Sequence, residues 1–192
     1  MEHFDPTLYG IIFSSLIDPN RLNDLGIGQE NTDFETALNE LSFTTAFESH
    51  PLRDTDSANA CLSALWLHHD FLDKSHQISQ NIPSPSGSFW HGIMHRREGD
   101  YWNSKYWFRQ VGNHPIFADL NTVVNKLLEQ SGQEETIELL AKQSSWDPFL
   151  YVDLVQQHIG SATETEKVLK QIQRLEWWLL FDYCYKKSIT KV

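Results

Sequence analysis

The chain has little cysteine, little positive charge and no long apolar run. Its 192 residues include two cysteines, Cys61 and Cys184. Neither sits in a C-x-x-C pair, and two are too few for a disulfide framework. Both lie in apolar stretches, which predicts buried free thiols. Lysine and arginine number 15 against 26 acidic residues, for a net charge of −11. That balance disfavours non-specific contact with nucleic acid or an anionic membrane and favours solubility. The longest apolar stretches, such as "WWLLF" at 177–181, fall far short of the ~20 residues of a membrane span. The opening "MEHFDPTLYG" has no basic region leading into an apolar core, so no secretory signal is expected. These absences predict a cytoplasmic protein that engages neither nucleic acid nor membrane. The length suits a single domain, residues 1–192, able to bury a core without a metal or disulfide to hold it together.

What is present reads as helix. Asp5-Pro6 and Asp147-Pro148 each pair a capping aspartate with a proline suited to the first helical position. Residues 18–31 are turn-rich and read as loop. A helix is predicted from about Asp33 to Phe47, and a long one from Ser57 to about Gln80. In the latter, Ala58, Leu62, Leu65, His69, Leu72 and His76 recur at intervals of three and four. "NIPSPSGS" (81–88) reads as an internal loop. Shorter helices are expected over Ser88–Glu98, stopped by Gly99, and over Tyr101–Val111, capped by Asp100 and stopped by Gly112. Another runs from Pro115 to about Gln130, and "EETIELLAK" makes one more. The last helix follows S-x-x-E and T-x-x-E capping patterns at Ser161/Glu164 and Thr163/Glu166. It is apolar almost all round, which predicts a central position. No stretch alternates with period two. The expected fold is all-α, a multi-helix bundle with a central C-terminal helix.

The chemistry-bearing residues are concentrated. Six of the nine histidines fall between His68 and His114. A helix turns once in 3.6 residues, so positions i, i+4 and i+7 share a face. His91, His95 and Glu98 have that spacing, and so do His69, Asp73 and His76. Two imidazoles and a carboxylate on each of two helices would suit Zn, Fe, Mn or Ni, and an open divalent site activates water or polarises a substrate. Asp73-x-x-His76 has the carboxylate–histidine interval of bundle metal sites, with Glu40 and Glu48 as candidate further carboxylates. The metal set is therefore His69, Asp73, His76, His91, His95 and Glu98. His69, Asp73, His91, His95 and His114 are the catalytic candidates, able to run acid–base chemistry without a metal. The competing reading makes these histidines packing residues hydrogen-bonded to carboxylates.

Around them, the acidic chain places Arg96, Arg97, Lys105 and Arg109 among Tyr101, Trp102, Tyr106, Trp107 and Phe108. Arginine forks bind carboxylate and phosphate at two points. Arg96, Arg97, Lys105, Tyr106 and Arg109 are thus the candidates for binding a small anionic molecule, and ion pairing across an acidic surface is the alternative. Arg96 and Arg97 lie about 100° apart on a helix, so only one of them is expected to face the histidines.

"WLHHDFLDKS" (66–75) resembles the His-Asp motif of the HD-domain metal-dependent phosphohydrolases, which are all-α. The resemblance implies His69-Asp70 as a ligand dyad, with His50 upstream and Asp119 or Asp153 downstream. Leu72-Asp73-Lys74 replaces the glycine-lysine that follows the dyad in that family. "FWHGIMHRREGDYWNSKYWFRQVGNHP" (89–115), accompanied by "LHHDFLDKSH", also resembles a stretch of uncharacterised, mostly microbial proteins. That resemblance spans about residues 60–115 and implies no activity, ligand or fold.

The expectation is a small-molecule enzyme acting on an anionic substrate, metal-assisted and hydrolytic, with its pocket built from residues 66–114. The alternative is a non-catalytic helical binding protein for a small anion or a protein partner. Nothing in the sequence sets the oligomeric state.

Overall fold

The computed structural model describes residues 4–48, 50–131, 138–141 and 143–190. The described residues form helices and connecting loops, with no strand among them. In chain order the helices are α1 (Ile11–Leu16), α2 (Glu35–Asn39), α3 (Phe43–Ala46), α4 (Thr55–His68), α5 (Leu72–Ser79) and α6 (Pro85–Glu98). They continue with α7 (Tyr101–Val111), α8 (Phe117–Ser131), α9 (Glu138–Ala141), α10 (Pro148–His158) and α11 (Glu164–Ile189). No described helix is long and apolar enough to cross a membrane. Much of the predicted "EETIELLAK" helix lies outside the described residues; 138–141 are α9.

α11 is the centre of the assembly. It packs on α4, α8 and α10, and every residue from Glu176 to Phe181 is buried. Its apolar circumference requires cover on several sides, because a helix that buries only one stripe needs only one neighbour. Trp177 donates its indole N–H to the Ala64 carbonyl at 3.0 Å, fixing α11 against α4. Cys61 and Cys184 are buried free thiols in this core.

The capping chemistry explains where the sequence periodicity misplaced helix ends. The expected Ser57–Gln80 helix is two helices, α4 and α5, broken at His69–Phe71. Phe71 N–H bonds back to the Trp66 carbonyl and Asp70 N–H to that of Leu67. This is a Schellman turn, with Asp70 in the left-handed conformation at φ 67°. Its accompanying apolar contact is Phe71 against Trp66, ring centroids 5.3 Å apart. The apolar spacing runs on across the break, so periodicity alone could not detect it.

Three other expectations are corrected. α6 starts at Pro85, not Ser88: Ser84 caps it through Gly87 N–H, and Pro85 takes the first turn rather than ending a loop. The Asp33–Phe47 helix is a short 3-10 turn plus α2 and α3, because Ser42 and Thr45 form a capping box that starts α3 afresh. The first helix is likewise split at Gly10, whose φ of 95° lies outside the helical region. Tyr101–Val111 matches expectation, with Asp100 accepting from Asn103 N–H.

Candidate metal centre

α6 presents two chemically distinct faces. Residues two apart on a helix lie about 200° from each other, so His91 and His95 face one way while Ile93 and Arg97 face the other. The histidine face is covered by α5 and α7. α7 can come close because Gly92 lies where α7 crosses. A Cβ there would meet the Phe108 ring at 3.2 Å, and the Gly92 carbonyl accepts the Ser104 hydroxyl at 2.7 Å.

Among the described residues, a single group of three or more potential ligands converges: His76 of α5 with His91 and His95 of α6. Their ligand atoms lie within 4.8 Å of one another. His91 Nε2 and His95 Nε2 are 2.9 Å apart. The His76 ring meets those of His91 and His95 edge-on, at centroid distances of 4.7 and 5.2 Å. His91 and His95 are almost fully buried, and His76 is partly exposed. Trp107 of α7 stacks on the His91 ring at 4.0 Å, closing the site from one side.

Hydrogen bonds orient the nitrogens. The Nδ1–H of His95 donates to Glu98 Oε2 at 2.9 Å, which leaves its Nε2 a lone pair aimed at the cluster. The Asn103 side-chain N–H reaches the same Nε2 at 3.0 Å. His91 Nδ1 is buried and has no hydrogen-bond partner among the described residues. Burial, followed by His95 and His76, pushes the His91 pKa down to about 3. Burial outweighs Glu98 at His95 and lowers its pKa as well. Both rings are therefore neutral at pH 7, the form that binds metal. In a tetrahedral site with metal–nitrogen bonds of about 2.0–2.1 Å, the ligand nitrogens stand roughly 3.3 Å apart. The His91 and His95 Nε2 atoms, 2.9 Å apart, stand somewhat closer than that, and the whole group of three ligand atoms lies within 4.8 Å.

The other expected site residues are placed as follows. His69 is not on a helical face with Asp73 and His76, because the Schellman turn intervenes. It donates from Nε2 to the Leu16 carbonyl at 2.7 Å, and its Nδ1 accepts from Asn31 at 3.4 Å, so both nitrogens are engaged. Asp73 is exposed on α5. Glu98 faces His95 Nδ1, the side of the ring away from the cluster. Glu40 and Glu48 are exposed. His114 joins Ser86 at 3.0 Å near the other end of α6.

The basic set is structural or outward-facing. Arg96 is fully buried in an ion pair with Glu176 at 2.5 Å and lies over the Tyr151 ring. Arg97 is buried against Asp70. Neither arginine faces the histidines. Lys105 pairs with Asp153. Arg109 is exposed and, with Lys105, lies on the side of α7 away from Trp107. Tyr106 is half-exposed and stacks on Trp102.

The dyad suggested by the HD-domain resemblance is also otherwise employed. Asp70 accepts from Arg97, from Arg21 at 2.5 Å and from Asn23 at 2.8 Å. His50 contacts the Tyr185 hydroxyl, and Asp153 binds Lys105.

Two contributors escaped the sequence reading. Asn103 and Trp107 are spaced i, i+4 on α7, and that spacing was the available signal.

No protein-family model, no curated protein and no solved structure matches this chain.

Proposed function

We propose that the protein binds a first-row divalent ion through His76, His91 and His95 and uses it for hydrolytic chemistry on a small anionic molecule. The convergence of three imidazoles on two adjacent helices carries this reading. Three neutral nitrogen ligands suit Zn, Fe, Mn or Ni and leave an open fourth position. They also leave the ion's double positive charge uncompensated, which favours an anionic substrate in an otherwise acidic chain. An ion in such a site supplies a water of lowered pKa at neutral pH. Within the chain, Glu98 fixes the His95 tautomer, Trp107 excludes water from the His91 side, and the Asn103 side-chain N–H that now reaches His95 Nε2 would be released when that nitrogen binds an ion.

Untagged protein, purified without chelator and loaded with Zn or Co(II), should hold about one ion per chain by elemental analysis, matching the single ligand group. The double substitution His91→Ala and His95→Ala should abolish uptake while helical circular dichroism persists. Failure of the loaded wild type to retain any ion overturns the reading. Retention without turnover of phosphate or carboxylate esters would reduce it to a non-catalytic metal-binding protein.

A further inference from the structure

One lone pair in the histidine cluster serves two donors. His95 keeps its proton on Nδ1, against Glu98, so its Nε2 can only accept. It accepts from His91 Nε2–H at 2.9 Å and from the Asn103 side-chain N–H at 3.0 Å. An ion bound at that lone pair displaces both donors. His91 can shift its proton to Nδ1, which turns its Nε2 into a ligand. Asn103 has a different recourse, because its amide carries its donors on nitrogen and its acceptor on oxygen.

That amide can turn at little cost. Its contact with His95 is the one side-chain hydrogen bond of Asn103 among the described residues, and the backbone N–H is held separately by Asp100. Half a turn about the last side-chain bond therefore breaks one hydrogen bond and exchanges nitrogen and oxygen in nearly the same space. The oxygen then stands where the nitrogen now stands, 3.0 Å from His95 Nε2. Two ligands on one tetrahedral ion stand roughly 3.3 Å apart, so the place suits a ligand atom. A cation also drives the turn: a lone pair attracts the N–H end of an amide, and a positive ion attracts the C=O end. The helix need not shift. Ser104 ties α7 to the Gly92 carbonyl of α6, and Trp107, on the same face as Asn103, lies on the His91 ring.

We infer that Asn103 is a further ligand of the ion at His76, His91 and His95: its Oδ1 fills the fourth position and yields it to an entering anion. This inference rests on the metal reading above. The amide oxygen is neutral, and three neutral imidazoles leave the ion's double positive charge uncompensated, so an anion replaces the oxygen readily. Asn103 thus competes with the anionic substrate for the position that the three imidazoles leave open.

The test compares untagged, full-length wild type, Asn103→Ala and Asn103→Asp. Each is titrated with Co(II) against a competing chelator. The Co(II)-loaded proteins are then titrated with azide at constant ionic strength and read by visible absorption. Asn103→Ala should bind Co(II) about tenfold more weakly, a loss typical of removing one contact from a metal site. It should bind azide more tightly by a similar factor, since what the amide oxygen adds to ion binding it subtracts from its competitor. Asn103→Asp keeps an oxygen in place and adds charge, so it should hold Co(II) at least as tightly as the wild type. Asn103 is partly exposed, and helical circular dichroism should be unchanged in both variants. Two rival roles give opposite signs. If the amide only competes for the His95 lone pair, Asn103→Ala binds Co(II) more tightly. If its N–H serves the anion, Asn103→Ala binds azide more weakly. Either result, unchanged affinities, or weaker Co(II) binding by folded Asn103→Asp overturns the inference and leaves the three-histidine site standing. A wild type that takes up no Co(II) overturns the metal reading and this inference with it.

Discussion

The two histidine groups of this protein look alike in sequence and differ in what their nitrogens do. At the end of α4, His68 accepts from Asp18 N–H and His69 is bonded at both nitrogens. On α6, His91 and His95 turn their Nε2 atoms toward each other and converge with His76, while His91 Nδ1 is buried without a partner among the described residues. The first group fastens the N-terminal loops to the helical body. The second brings three imidazole rings together in one place, with His91 Nε2–H donating to His95 Nε2. Imidazole spacing therefore says little by itself. The accounting of donors and acceptors separates a structural histidine from a ligand.

The largest expected effect sharpens that contrast on the structural side. Asp70→Ala leaves Arg97 and Arg21 without their shared carboxylate, and breaking a buried pair typically costs about 3–5 kcal/mol. Urea unfolding should show that loss. Metal uptake by the variant, measured below its unfolding transition, should remain at the wild-type level. Loss of uptake in a folded Asp70→Ala protein would tie the dyad to the metal and break the comparison.

Acid comes next. His114 is buried, and burial, followed by Lys187, brings its pKa down to about 4, against an unfolded value near 6.5. Its Nδ1 accepts from Ile116 N–H, so its proton sits on Nε2 and donates to Ser86. Between pH 6.5 and 4 the unfolded chain binds a proton that the folded chain refuses. The stabilisation from neutral His114 is thus complete above about pH 6.5 and lost as pH falls toward 4, about 3 kcal/mol in all. Burial lowers the His68 pKa too, so its contribution has the same sign. Urea midpoints in EDTA should drop over this interval, and His114→Gln should flatten the drop.

The smallest effect probes the metal side. Glu98 is partly exposed and holds His95 Nδ1. Glu98→Gln should leave stability nearly unchanged and weaken metal affinity by about 10–100-fold, the usual consequence of losing a carboxylate behind a ligating imidazole. An unchanged affinity by competitive chelator titration would show that Glu98 does not orient the ligand.

Part of this was legible in the chain. Asp100, Asp147 and Thr163 cap the helices they precede, and Gly99 ends α6 at φ 87°. The i, i+4 pairing of His91 and His95 was readable because it lies within one unbroken helix. The metal set included His76, but its partners in that set differ from those its spacing suggests. The spacing linked it to His69 and Asp73, but the turn at Asp70 rotates α5 so that His76 meets α6 instead. Asp is an uncommon occupant of the left-handed position, which glycine usually fills. Its carboxylate is bound by Arg21, Asn23 and Arg97, from segments remote in sequence, and no local pattern contains those bonds. The arginines misled for a similar reason. A run of basic residues in an acidic chain suggests an anion site, but Glu176, 80 positions away, accepts from Arg96.

The sequence by itself determined the helical class, the central placement of α11 and the caps, because these depend on hydrogen bonds and apolar periodicity within a few residues. Only the tertiary structure decided which histidines converge, which arginines are neutralised and which face of α6 meets which neighbour. Those outcomes depend on pairing between polar groups far apart in the chain. Burial makes each such pairing all-or-none, since a donor or charge removed from water must find its partner across the fold.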